Sequence, residues 1–88
     1  MKAIITVVGK DNRGIVAGVS GKIADLGLNI DDISQTVLND YFTMMALVSS
    51  ENKEDFSQLR KEFDAFGESL QVKINIQSTA IFDAMHKL

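Results

Sequence analysis

The sequence predicts an α+β fold, a four-stranded antiparallel sheet with two helices on one face, and three observations carry that reading. Segments of strand-type and helix-type patterning alternate in the order strand, helix, strand, strand, helix, strand. Asn39-Asp40 stands between the second and third strand patterns, and both residue types tolerate the positive φ of a tight hairpin turn. The length of 88 residues with 45% apolar side chains suits one packed core and is too small for two.

Lys2 to Gly9 is rich in β-branched residues, Ile4 through Val8, and closes on a glycine, as expected of a central strand buried on both faces. After the polar loop Lys10-Asp11-Asn12-Arg13-Gly14, apolar residues recur at Ile15, Val16, Val19, Ile23 and Leu26, one face of a helix that Gly27 caps. Gly18 and Gly21 inside this helix each cost about 1 kcal/mol relative to Ala, which points to a helix held very close to the sheet. Leu28 to Leu38 reads as a bent strand. Its apolar Ile30, Ile33 and Val37 fall out of alternation once, at Asp31-Asp32, where an extra residue makes a bulge.

Tyr41 to Val48 forms the partner strand of the hairpin. Asn52, with Asp55 three residues later, is placed to cap a second helix whose Phe56, Leu59, Phe63 and Phe66 share a face before Gly67 ends it. Leu70, Val72, Ile74 and Ile76 alternate with Gln71, Lys73, Asn75 and Gln77, the pattern of a last strand packed on one face and wet on the other. The whole is the ferredoxin-like βαββαβ unit over residues 1–78. Residues 79–88 add a tail with Ile81, Met85 and Leu88 at helical spacing behind Ser78 and Thr79, so 1–88 reads as a single domain. Ile4 and Val8, with Tyr41, Met45 and Leu47, remain on the sheet face away from the helices. The tail, a second copy or both must cover them.

Composition removes several functions. Without cysteine there are no disulfides, thiolate metal sites or thiol nucleophiles, and His86 is the one imidazole, so neither a metal nor a cofactor is expected. Residues 51–68 carry three basic against six acidic side chains, and hence the whole net charge of -3. The remainder is balanced and lacks the clustered Lys and Arg that nucleic acid requires. Neither a signal peptide nor an 18-residue apolar run is present, so the expected location is the cytoplasm, with no membrane partner.

The segment most able to do chemistry is Lys10, Asp11, Asn12, Arg13 and Gly14, at a helix N-terminus where backbone N–H groups and the dipole favour an anion such as an α-carboxylate. The plain alternative is that Asp11 or Asn12 only caps the helix. Asn29 and Ile30 begin the second strand, and the Asn29 amide offers donors and an acceptor. Asp31 and Asp32 can receive an ammonium group or simply solvate the bulge. The loop is not a nucleotide-phosphate loop, because Ile15 and Val16 stand where its Lys and Ser/Thr belong.

The stretches ITVVGKDNRGIVAGVSGKIADLGLNIDDISQ and YFTMMALVSS resemble an ACT domain, a small amino-acid-sensing module, and the whole chain resembles stand-alone bacterial ACT proteins related to the glycine cleavage system repressor. Gly9 through Ala17 and Gly27-Leu28-Asn29-Ile30 carry most of the likeness. The resemblance implies a non-catalytic regulatory homodimer or larger homo-oligomer that binds an amino acid between subunits, with the first loop of one chain facing the second strand of its neighbour. In it Asp11, Gly14 and Asn29 take the family's polar and glycine positions. Arg13 stands where many members have proline, which frees the loop's φ and adds a cation. A ligand-free subunit that docks on another protein is the second expectation. Acylphosphatases share the element order, but Arg13 and Asn39 do not match the spacing of their phosphate-holding Arg and water-positioning Asn.

Overall fold

The computed structural model describes residues 1–10 and 14–80. Its elements are β1 (Lys2–Gly9), α1 (Ile15–Asp25), β2 (Asn29–Leu38), β3 (Tyr41–Ser49), α2 (Phe56–Leu70) and β4 (Lys73–Ser78). The four strands form one sheet in the order β2-β3-β1-β4, with each neighbouring pair antiparallel. This is the ferredoxin-like arrangement that the sequence predicts. Beyond Ser78 the backbone turns helical at Thr79 and Ala80, and the rest of the expected tail, 81–88 with His86, lies outside the described residues.

Alternation sorts each strand into two faces. Ala3, Ile5 and Val7 of β1, Phe42, Met44, Ala46 and Val48 of β3, and Ile74 and Ile76 of β4 are buried against Ile15, Val19 and Ile23 of α1 and Leu59 and Phe63 of α2. The register stacks these residues in rows: Val7 lies between Met44 and Ile74, and Ile5 between Ala46 and Ile76. Met44 and Met45 fall on opposite faces, with Met44 fully buried and Met45 40% exposed.

β1 is central but is buried on one face only, contrary to expectation. Val8 is 45% exposed and Ile4 is half-buried, because the described residues put no second layer over the side away from the helices. The bulge forms where the broken alternation placed it. The β2–β3 register shifts between Ile30 and Asp32, and Asn39 takes the left-handed conformation of the hairpin turn with φ 59°.

Three further expectations need correction. Gly18 is indeed a close approach, but a Cβ there would meet Leu70 at 3.3 Å and the Phe66 ring at 3.6 Å, so the notch admits α2 rather than the sheet. The cap of α2 is Asp55, whose carboxylate accepts from the N–H groups of Ser57 (2.9 Å) and Gln58 (3.3 Å). Asn52 instead donates its own N–H to Ser50 Oγ at 3.1 Å. Finally, α2 continues through Gly67 to Leu70 and ends at Gln71, with φ 58°. Leu70 is thus the last helical residue and not the first of β4. Gly67 is present for packing, since a Cβ there would lie 2.8 Å from the Val72 carbonyl oxygen.

Candidate functional site

β1 ends at Gly9 and hands the chain to the first loop at the sheet end that also carries the β2–β3 hairpin, because Gly9 pairs with Phe42 and Phe42 with Val37. Lys10 is exposed there. Asp11, Asn12 and Arg13 lie outside the described residues, and the chain resumes at Gly14, which is left-handed at φ 75° and occupies the N-cap of α1. The N-cap position is thus Gly14, and the expectation that Asp11 or Asn12 caps this helix falls on residues outside those described. A glycine has no side chain with which to cap, no acidic residue stands in the first turn, and the first intrahelical bond runs from Gly18 N–H to Gly14 O at 2.9 Å. The amides of Ile15, Val16 and Ala17 precede that bond and have no intrahelical acceptor, so the end of α1 is a positive terminus beside Lys10.

The other predicted residues lie elsewhere. α1 stops at Gly27, φ 76°, where Gly27 N–H bonds Ala24 O and Leu28 N–H bonds Ile23 O, and this sharp ending delivers the chain to β2. Asn29 pairs with Ser49 and Ile30 with Val48, level with Lys2 and Ala3. The seven residue steps from Lys2 to Gly9 separate the two levels by roughly 23 Å. One chain therefore does not bring Lys10 and Gly14 to Asn29 and Ile30. They occupy opposite ends of the sheet. By register Ile30 shares the helix-covered face, whereas Asn29 lies with Ser49 on the other.

Asp31 and Asp32 are exposed and engaged locally: Asp31 Oδ1 accepts from Ser49 Oγ at 3.0 Å, and Asp32 Oδ1 from the Ile33 N–H at 2.9 Å. Both lie at the bulge, at the sheet end distant from Lys10. Between the two ends runs a surface that the residue patterns did not single out. β2 is an edge strand exposed along its whole length, and Ile30 (39%), Ile33 (37%) and Val37 (59%) look outward even though the register puts them on the helix side. The sequence shows these apolar residues. It does not show that the helices stop short of covering them.

On the helix layer, Lys22 Nζ of α1 reaches Glu62 Oε2 of α2 at 2.8 Å and lies 5.8 Å from the Phe66 ring centre. The Lys22 hydrogen bond and charge, helped by Gln58, hold the Glu62 carboxyl below the usual carboxylate range. Among the described residues no cluster of His, Cys, Asp or Glu could hold a metal ion, and no helix is long and apolar enough to cross a membrane.

An ACT domain family model matches residues 2–77, nearly the full span of the sheet and both helices. The chain belongs to the ACT domain family. A UPF0237 protein of Streptococcus mutans is 80% identical to this ACT domain over 100% of both chains. The solved ACT domain protein from Streptococcus pneumoniae is 78% identical, with a TM-score of 0.91 over 98% of each chain. A putative glycine cleavage system transcriptional repressor shares the fold at a TM-score of 0.78 and 19% identity, with 86% of this chain covering 45% of that one. The ACT domain is a regulatory module, so what this chain adds is a particular edge, a particular loop and a particular charge pattern.

Proposed function

We propose that this ACT domain is a non-catalytic regulatory module that binds an amino acid or similar small metabolite between two copies of the chain. One observation carries the reading. Lys10 and Gly14 sit at one end of the sheet, Asn29 and Ile30 at the other, and the strand that joins these ends in space is an unpaired, partly apolar edge. Two copies meeting edge to edge along an antiparallel β2 pair would bring the start of one β2 level with the hairpin of the other. The Asn29 end of one copy then faces the loop end of its neighbour.

The chemistry at the two ends is complementary. The first-turn amides of α1, with Lys10 and the loop residues Asp11, Asn12 and Arg13, would hold a carboxylate. The Asn29 amide from the neighbour would contact the polar backbone of the ligand, and Asp31 and Asp32 would supply negative charge for its ammonium group. Ligand bound across such an interface stabilises the assembled form by mass action, so metabolite level would be read as a change in packing. A cytoplasmic location accords with this role.

Titration calorimetry against the twenty amino acids tests the reading. We expect at least one to bind with a Kd below about 1 mM, and Asp11→Ala combined with Asn29→Ala to weaken it at least tenfold. Absence of binding by all twenty, or a double variant with unchanged affinity, would sink it.

A further inference from the structure

Beside the β4 edge lies a hollow of about 210 Å³, lined by Arg60 and Asp64 of α2 and by residues 73–77 of β4. Five consecutive strand residues point alternately to two faces, so they do not reach one hollow through their side chains alone. Ile74 and Ile76 are 2% and 3% exposed, with their side chains in the core, whereas Lys73, Asn75 and Gln77 are exposed. The hollow therefore follows the backbone of β4, on the side that β1 does not pair. Along such an edge every second residue presents a free N–H and C=O.

Chain direction spaces the charges. α2 turns through Gln71 and Val72 into β4, and Gly67 faces Ile74, so helix and strand run antiparallel. Lys73 consequently stands at one end of the hollow, Arg60 at the other and Asp64 between them, with roughly 13 Å of strand from Lys73 to Gln77. Arg60 and Asp64 are four residues apart on one helix face, a spacing that suits an ion pair. Among the described residues, however, neither of them nor Lys73 forms one. The Arg60 guanidinium instead lies 5.8 Å from the centre of the Phe56 ring, which packs against the core and so restricts where the cation can go.

We propose that this hollow binds a small dicarboxylate that carries a hydroxyl group, with its carboxylates on Arg60 and Lys73 and its hydroxyl donating to Asp64. The charge pattern favours it. A monoanion leaves one of the two end cations unanswered, and a diacid without a donor sets its middle against the Asp64 carboxylate with no hydrogen bond between them. The planar Arg60 fork matches a carboxylate, and the free N–H groups of β4 add donors along the ligand. The size agrees, since about 210 Å³ falls below the roughly 300 Å³ at which drug-sized ligands begin to fit and suits a metabolite of a few carbons. The hollow follows β4 and the proposed interface follows β2, at opposite edges of the sheet, so this inference stands independently of that one.

Amide NMR of the full chain titrated with malate tests the proposal, with succinate, which lacks the hydroxyl, and sulfate as comparisons. Malate should shift the amides of residues 73–77 with a Kd below about 5 mM, and succinate should bind at least about threefold more weakly. Arg60→Gln and Lys73→Gln should each weaken malate about tenfold, and Asp64→Ala should remove its advantage over succinate. All three residues are exposed, and an unchanged spectrum away from the hollow confirms that each variant is folded. Shifts confined to the first loop or to Asn29, no shift at about 50 mM malate, or unchanged affinity in Arg60→Gln and Lys73→Gln would overturn the proposal. Sulfate binding as tightly as malate would overturn it too, as the mark of an adventitious ion only.

Discussion

Gly67 and Gly21 both sit inside helices, yet their surroundings demand opposite outcomes. A methyl at Gly67 would lie 2.8 Å from the Val72 carbonyl oxygen, backbone fixed by its own bond from Val72 N–H to Gly67 O, so Gly67→Ala should cost about 1–3 kcal/mol in urea unfolding. Among the described residues nothing lies within 4 Å of a Cβ at Gly21, and Gly21→Ala should stabilise the chain by about 0.5–1 kcal/mol through helix propensity. Equal signs for the two variants would contradict these surroundings. Glu62 makes the pH argument. Lys22 lowers its folded pKa, so the stability it contributes is present above the unfolded carboxylate pKa and is lost as pH falls through the folded one. The urea midpoint of Glu62→Gln should therefore lie below that of the parent at pH 7, and the gap should close as the pH falls through the lowered folded pKa.

The elements themselves were legible wherever a local pattern is also a local cause. The hairpin at Asn39, the bulge at Asp31 and the glycine ending of α1 need only a few neighbouring backbone groups, and all three formed where the residues placed them. The second helix shows the limit. Asn52 and Asp55 are both good capping types, and the choice of Asp55 follows from Ser50, whose hydroxyl accepts the Asn52 N–H and donates to Glu54 at 3.0 Å. Asp55→Ala should accordingly cost about 1 kcal/mol in thermal or urea unfolding, and Asn52→Ala less than about half of that. Gly67 looks like a stop signal in one dimension. In three it is the point where α2 presses on the turn into β4, and the helix runs on to Leu70. Of the candidate site, the residue types at Lys10 to Gly14 and Asn29 were readable, but their separation to opposite sheet ends was not. It depends on strand direction and register, which no short window contains.

At the scale of the molecule, two surfaces are left uncovered by α1 and α2 among the described residues: the β2 edge with Ile30, Ile33 and Val37, and the outer face around Ile4, Met45 and Leu47. The two edges of the sheet differ. β4 is six residues long, and its rim carries Lys73, Asn75 and Gln77 with Arg60 and Asp64 of α2 beside it, the polar guard of an edge that avoids pairing. β2 is ten residues long with an apolar helix side. If β2 is the pairing edge, Val37→Lys should turn a dimer into a monomer in sedimentation velocity while Lys73→Val leaves the dimer mass unchanged; the reverse pattern would assign the interface to β4. By itself the sequence determined the element order, the hairpin turn and the bulge, since these rest on periodicity and local backbone chemistry. Only the tertiary structure decided that α1 and α2 notch together at Gly18, that β2 is left bare, and that the two halves of the candidate site lie apart. Those are consequences of which elements become neighbours, and the area each one buries is fixed only when all of them have packed.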